Sequence, residues 1–292
     1  MSYLFFKFPN KRNVFIFIVL LIFICCFVWF EENFYFWSKN FGFLENYIWT
    51  EGPVKIANGA EQSSGLAFNE SRKELYVIVN SPPEIEVLSP SGQFIREIKL
   101  IGFEDTEGIT YLGGEFFAVV SERLGTISWF RLSKNDKVVY KYNTHSVELY
   151  KNALGNTGLE GVTYAKNIRQ LIIVKERKPK EIVAVNWPIE EISHPMRNLL
   201  WDAERSPWGA IRNFSGIYYH PPNHHLFILS RRSKSITEYT LSGKKVGYFS
   251  LKNGSANLNL AIEKAEGIVM SEDGTLYICG EPNQLFIFKQ KV

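Results

Sequence analysis

Six glutamates recur at two places of a repeated pattern and could together hold a cation. Each stands either directly before a glycine that opens a β-rich run or 15 or 16 residues beyond that place, after a second such run; the six are Glu107, Glu122, Glu160, Glu176, Glu266 and Glu281. Carboxylates held close together cannot all stay ionised, so either their pKa values rise or a cation neutralises them. Oxygen ligands suit Ca²⁺ better than Zn²⁺, which favours histidine and cysteine. The residues therefore predict a calcium site.

A salt-bridge network is the alternative interpretation of the same acids. Arg123 and Arg177 each follow one of them, and Arg231 takes the second place in the fourth repeat. The remaining places hold Ser64, Ser215 and Asn80. Buried acids can be neutralised by such bases without any ion. The ligand types favour the metal, and the sequence leaves both interpretations open.

Repeated β-hairpins must position these residues. The opening glycines lie 43, 53, 55 and 51 residues apart, at Gly65, Gly108, Gly161, Gly216 and Gly267. A period of about 40 to 50 residues filled with short β-rich runs is typical of propeller blades, each a four-stranded antiparallel sheet. We therefore predict an all-β fold, a five-bladed β-propeller over residues 47–292, whose innermost strands bring the acids to one mouth of the central channel.

Details of the blades follow from the same pattern. The last repeat is short, so residues 50–58 are expected to supply its outer strand and close the ring. In the second repeat a turn at Gly113 and Gly114 predicts Glu107 opposite Val120, with Glu122 as its diagonal neighbour, and residues 138–140 as the fourth strand. Residues 186–213 are expected to form a long excursion between blades three and four, either a lid or a packed rim insertion.

The N-terminal segment predicts a membrane anchor. Residues 14–30 form an apolar run without a charge, a glycine or a proline, about 26 Å long as a helix. Residues 1–13 carry three basic residues and are expected to stay in the cytoplasm, and residues 31–46 predict an aromatic interfacial spacer. The expected location is a bacterial inner membrane, crossed once, with the propeller in the periplasm. Because the propeller region holds only Cys279, it is expected to fold without an internal disulfide.

Charge and residue types exclude several functions. Lys7, Lys11 and Arg12 account for the excess of 33 basic over 30 acidic residues, so residues 31–292 are balanced. A balanced body argues against a nucleic-acid partner. The cluster of His220, His224 and His225 is a weaker zinc candidate, because it falls in a predicted turn where exposed histidines are common. No nucleophile and base can be paired by spacing, so no catalytic residue is predicted.

Three phrases resemble a known bacterial family. The sequences Leu-Glu-Gly-Val-Thr-Tyr at 159–164, Ala-Glu-Gly-Ile-Val-Met at 265–270 and Gly-Glu-Pro-Asn at 280–283, together with one N-terminal anchor, are similar to the SdiA-regulated (YjiK-type) family. The resemblance implies a five-bladed propeller related to NHL repeats, tethered to the inner membrane, with a bound calcium ion and no established activity. Arg231 departs from the family pattern in the fourth blade.

Two function classes are consistent with these observations. The favoured one is an envelope protein that binds an unidentified ligand or protein partner at the channel mouth, with calcium holding the blades together. The alternative is a calcium-dependent lactonase- or esterase-like hydrolase, which would need an open coordination position and a nearby base. The absence of histidine and aspartate from the repeated places favours binding.

Overall fold

The computed structural model describes residues 18–23, 40–56, 62–150, 158–176, 178–190, 197–202 and 213–291. The chain divides into two units, Met1–Lys39 and Asn40–Val292. In the first unit residues 18–23 are helical, and the rest of the predicted tail and span lies outside the described residues. Among the described helices, none combines the length and the apolar character that crossing a membrane requires.

The second unit consists of β-strands arranged as five sheets. In chain order the strands are β1 Tyr47–Lys55, β2 Ser63–Asn69, β3 Glu74–Val79, β4 Glu84–Leu88, β5 Phe94–Ile101, β6 Thr106–Gly113, β7 Phe116–Ser121, β8 Thr126–Arg131, β9 Val138–Tyr140, β10 His145–Glu148, β11 Leu159–Ala165, β12 Gln170–Lys175, β13 Glu181–Asn186, β14 Arg197–Asp202, β15 Gly216–His220, β16 His225–Ser230, β17 Ser235–Thr240, β18 Lys245–Ser250, β19 Ala265–Met270, β20 Leu276–Gly280 and β21 Gln284–Gln290. Two short 3-10 helices, Lys141–Asn143 and Lys166–Ile168, lie in connections.

The sheets are the five predicted blades. Blade 1 is β2-β3-β4-β5, blade 2 is β6-β7-β8-β10, blade 3 is β11 to β14, blade 4 is β15 to β18, and blade 5 is β19-β20-β21-β1. The first strands β2, β6, β11, β15 and β19 each contact the first strand of the next blade, and β19 contacts β2. The contacts form a closed circle, so the predicted five-bladed propeller is confirmed.

The core lies between blades rather than inside one layer. Five separate clusters of buried apolar side chains each join two neighbouring blades. Inner strands are therefore buried on both faces, as in β3, where all six residues are buried. Cys279 belongs to the cluster between blades 1 and 5 and is fully buried, as expected of a small apolar side chain.

Strand β1 closes the circle. It pairs antiparallel with β21, from Tyr47 opposite Gln290 to Lys55 opposite Gln284. The outer strand of the last blade thus comes from the chain before the first blade, and that prediction is confirmed. This pairing also covers an edge that would otherwise expose unpaired backbone groups.

Two outer strands differ from the prediction. Val138–Tyr140 does not complete blade 2; it pairs in parallel with β5 at the edge of blade 1, where Val139 is buried in the core between blades 1 and 2. Blade 2 is completed by His145–Glu148 instead. Residues 197–202, inside the predicted excursion, form the fourth strand of blade 3. Open strand edges and buried side chains decided both pairings.

The described tryptophans of residues 186–213 pack on the body. The ring of Trp187 meets that of Trp129 edge-on, with centroids 5.7 Å apart. Trp201 lies 4.9 Å from the ring of Tyr239 in blade 4. These contacts favour a packed rim over a lid.

Residues 40–46, the described end of the predicted spacer, lie on blade 4. Phe41 forms a backbone bridge with Tyr248. The backbone N–H of Phe43 donates to the buried carboxylate of Glu238, at 2.9 Å.

Candidate functional site

A β-bulge points the first set of acids away from the sheet ladder. In blades 1, 2, 3 and 5 the register between the first two strands shifts at the residue before the opening glycine, namely Ser64, Glu107, Glu160 and Glu266. A bulged residue has no partner in the ladder, and bulges commonly re-aim a side chain next to functional sites. The residue before the opening glycine therefore coincides with a β-bulge in these four blades, and in three of them it is also a glutamate.

The bulge corrects the predicted register. Gly108, not Glu107, lies opposite Val120. The sequence-based pairing was wrong by one residue, because a strict two-residue alternation cannot show an inserted residue. Glu107 and Glu122 still lie together, but the bulge brings them there rather than diagonal pairing.

The second set of places is anchored in the same way in four blades. Each residue there donates its backbone N–H to the carbonyl of a residue just before the first strand, at 2.7 to 3.0 Å: Asn80 to Gln62, Glu122 to Asp105, Glu176 to Gly158 and Glu281 to Lys264. The residues of both sets therefore lie at the same end of the channel. We call this end the acid mouth.

The opening glycines form a narrow waist below the acid mouth. A β-carbon added to Gly108 would lie 2.8 Å from the Cα atom of Gly161, and one added to Gly216 would lie 2.6 Å from the backbone oxygen of Glu266. The first strands approach closely only because these residues have no side chain. A cavity of about 10 Å³ remains at the waist, lined in part by Ser64, Glu160 and Glu266, and a space of that size holds about one water molecule.

Three acids of blade 2 form a compact group. One carboxylate oxygen each from Asp105, Glu107 and Glu122 lie within 4.8 Å of one another. The Asn80 amide donates to Asp105 at 3.2 Å and also to Glu107. Oxygens on opposite sides of a calcium ion are about 4.8 Å apart, since calcium–oxygen distances are about 2.4 Å. The donor set and its spacing fit calcium.

Asp105 is a candidate ligand that the sequence pattern did not predict. It lies two residues before Glu107 and outside the repeated pattern, in the left-handed backbone region with φ of 54°. Aspartate adopts that region more readily than most residues. An acid directly before a marked strand was the available signal.

Burial and mutual repulsion raise the pKa values of Glu107 in blade 2 and Glu160 in blade 3. Burial above all, with repulsion from Glu122 and Asp105, raises the pKa of Glu107 to about 8. Burial, repulsion from Glu122 and Glu107, and a hydrogen bond with the Glu176 carboxyl raise the pKa of Glu160 to about 10. Without a cation these side chains therefore hold protons at neutral pH.

The acids of blade 5 face bases instead. Arg231 Nη1 lies 2.8 Å from Glu266 Oε1, and Lys264 Nζ lies 2.6 Å from Glu281 Oε2. Burial raises the pKa of Glu266 to about 7 although Arg231 opposes the shift. Of the six predicted ligands, Glu107 and Glu122 belong to the compact group. Glu160 interacts electrostatically with that group, Glu176 interacts with Glu160, and Glu266 and Glu281 are engaged in ion pairs.

The remaining candidates lie elsewhere. His220 Nδ1 contacts Asn223, His224 Nδ1 contacts the Tyr219 hydroxyl, and His225 Nδ1 contacts Glu238. The three histidines thus take separate partners. A second acid group, formed by one oxygen each of Glu84, Glu86 and Glu97, lies on strands β4 and β5 of blade 1, away from the first strands that surround the channel.

Solved structures share the fold at low sequence identity. A chain in the crystal structure of a nidogen/laminin complex is similar with a TM-score of 0.50 at 14% identity, over 76% of this chain and 73% of that one. A structural genomics protein of unknown function from Bacteroides thetaiotaomicron has a TM-score of 0.51 at 13% identity, over 80% of this chain and 56% of that one. At such identity the likeness concerns the fold alone.

The family comparison covers nearly the whole propeller. The SdiA-regulated family profile matches residues 43–289, a range that includes the acid mouth, the glycine waist and all five blades. The chain belongs to the SdiA-regulated family.

Proposed function

We propose that the protein is a calcium-dependent binding module of the bacterial cell envelope. Calcium would be held at the acid mouth by Asp105, Glu107 and Glu122, with Glu160 and Glu176 beside them. An unidentified ligand or protein partner would bind at the same mouth. The observation that carries the proposal is the approach of three carboxylate oxygens within 4.8 Å in a site where burial opposes ionisation.

A bound divalent cation would supply positive charge where the protein supplies little. Arg123 Nε lies 3.6 Å from Asp105 Oδ2, but the Arg123 side chain is 67% exposed. Solvent therefore screens much of its attraction. Calcium, when bound, would neutralise the acids and link neighbouring blades at the acid mouth.

Binding is favoured over hydrolysis by the positions of the histidines. His145 lies in the outer strand of blade 2, and three others lie in or beside the turn between β15 and β16. None of these four described histidines starts at the acid mouth, where a general base would have to stand. Calcium-dependent turnover in a panel of lactones and esters, abolished by Glu160→Gln, would favour the hydrolase instead.

Calcium titration of the full-length protein tests the site. Calorimetry in a mild detergent is expected to show saturable binding that Asp105→Asn weakens by about 100-fold, because the change removes one charged ligand. Glu86→Gln is the matched control in the second acid group and should leave this binding intact. Absence of saturable binding, or equal losses in the two variants, would contradict the acid mouth as the calcium site.

The membrane anchor needs a separate test. Its support is the apolar run of residues 14–30 with Lys7, Lys11 and Arg12 before it. A phosphatase that folds only in the periplasm, fused after Val292, is expected to be active and to sediment with membranes after carbonate washing. An inactive fusion, or release by carbonate, would remove the proposed location and leave the calcium proposal standing.

A further inference from the structure

A large cavity opens at the opposite end of the channel. It has a volume of about 610 Å³ and is lined by the ends of four first strands, including Phe68, Tyr111, Tyr219 and Met270. The first strands start at the acid mouth, so their ends lie beyond the glycine waist. We call this end the turn mouth. Its volume lies in the usual range of small-molecule sites.

Aromatic side chains form much of the wall at the turn mouth. The lining includes Phe43, Phe68, Tyr111, Tyr218 and Tyr219. Tyr218 packs with its ring centroid 6.2 Å from that of Phe227 and 6.5 Å from that of His220. Phe43 packs against His220 with the two rings tilted and their centroids 4.2 Å apart. The faces of such rings carry negative potential and attract cations.

Acids outnumber bases in the lining. Glu70, Glu272 and Asp273 contribute to it, and among the described lining residues only Lys166, which is exposed, is a lysine or arginine. Hydrogen bonds from Ser271 and Thr275 lower the pKa of Asp273, so this side chain stays ionised.

The acids are also held in place. The backbone N–H of Glu272 donates to Glu70 at 2.7 Å, and Lys73 pairs with Glu70 at 2.9 Å from the exposed side.

The negative field reaches into the cavity. Beyond burial, Glu70 and Glu272 raise the pKa of Tyr218, and Asp273 raises that of Tyr47. Burial lowers the pKa of His220, so this ring is neutral and adds no positive charge. The Tyr218 hydroxyl has no hydrogen bond within the described chain and can accept one from a ligand.

We propose that the turn mouth binds an organic cation, an amine or quaternary ammonium group carried on an aromatic or aliphatic body. The apolar body would fill the space between the rings, and the charged group would lie over them towards Glu70 and Glu272. This site is separate from the acid mouth and does not depend on calcium.

A matched pair of probes tests the proposal on the full-length protein. Benzyltrimethylammonium and neopentylbenzene have the same shape and differ by one positive charge, and phenylacetate carries the opposite charge. Ligand-observed NMR titration is expected to show saturable binding of the cation, at least 10-fold tighter than that of the neutral probe, and none of phenylacetate. No binding of the cation, or equal binding of the neutral probe, would overturn the proposal.

Variants assign the binding to the turn mouth. Glu272→Gln is expected to weaken binding of the cation about 3- to 10-fold, because it removes a negative charge. Tyr218→Leu is expected to weaken it about 10-fold, because it removes an aromatic ring. Tyr218→Phe keeps the ring and should retain most of the affinity, which guards against loss through misfolding. Glu281→Gln at the acid mouth is the control and should leave the affinity for the cation unchanged. A loss of affinity equal to that of Glu272→Gln would contradict binding at the turn mouth.

Discussion

The two halves of the acid mouth use the same repeat positions for different electrostatic arrangements. On the side of blades 2 and 3, Glu107 and Glu160 lie against other carboxyls. On the side of blades 4 and 5, Glu266 and Glu281 lie against Arg231 and Lys264. The position of a residue in the repeat decides where it lies in the propeller. The neighbours of its side chain decide what charge that side chain carries.

This difference divides the two interpretations between the halves. Acids that face acids need protons or a cation, which suits an ion-binding site. Acids that face bases are already neutralised and act as structural pairs. The proposed calcium site therefore concerns one half of the ring, and the salt bridges concern the other.

The largest expected effect is a loss of stability with rising pH in calcium-free protein. The folded-state pKa values of Glu107 and Glu160 are raised to about 8 and about 10, so the folded protein binds more protons than the unfolded chain above about pH 4.5. Stability should fall by a few kcal/mol between pH 6 and 9, since each pKa unit corresponds to about 1.4 kcal/mol. Urea unfolding in a chelator measures this, and excess calcium should flatten the dependence.

A flat or rising stability over that range in the chelator would contradict the raised pKa values. It would also remove the contrast between the halves, because the pKa values of Glu107 and Glu160 are raised further than that of Glu266.

Replacing one acid from each half should change stability by different amounts. At pH 9 without calcium, Glu160→Gln is expected to stabilise the fold by about 1 to 2 kcal/mol, because the amide cannot ionise in a buried site. Glu266→Gln should stabilise it less, because the pKa of Glu266 is raised only to about 7 and Arg231 loses its partner. Paired urea titrations at pH 9 compare them; equal stabilisation by the two variants would show that the halves are equivalent.

Removing the base of the paired half should strengthen calcium binding. Arg231 interacts electrostatically with Glu266, Glu176 and Glu160, so it opposes a cation at the mouth. Arg231→Gln is expected to raise calcium affinity about 3-fold, and Arg231→Lys, which keeps the charge, is the matched control. Unchanged or weaker binding in Arg231→Gln would mean that the two halves do not interact.

The smallest effect is expected at the outer pair. Lys264 and Glu281 form a pair whose side chains are 61% and 28% exposed, and exposed pairs contribute little. Glu281→Gln should keep the thermal midpoint within about 1 °C and leave calcium affinity unchanged. A larger shift in either measurement would bring Glu281 into the ion site.

Much of the fold follows from the chain alone because blades repeat. Five opening glycines, the alternating apolar runs and the short final repeat predicted the blade number and the closing strand. Two outer strands were mispredicted, since Val138–Tyr140 and Arg197–Asp202 took partners that only the folded edges offered. Local sequence patterns predict inner strands well, because both faces of these strands are buried. They predict outer strands poorly, because an outer strand can pair with the edge of more than one sheet.

The candidate site was predicted in part for the same reason. Spacing identified Glu107 and Glu122, but it could not show the bulge at Glu107 or the approach of Asp105. The turn mouth was not predicted at all, because its wall combines Phe43 with residues more than 200 positions later, such as Met270.

By itself the amino-acid order determined how many blades form and which side chains lie at the acid mouth. Only the tertiary structure decided which of those acids meet another acid and which meet Arg231 or Lys264. The physical reason is that backbone pattern is local, whereas the charge of a buried carboxyl depends on burial and on neighbours that distant parts of the chain bring within a few ångströms.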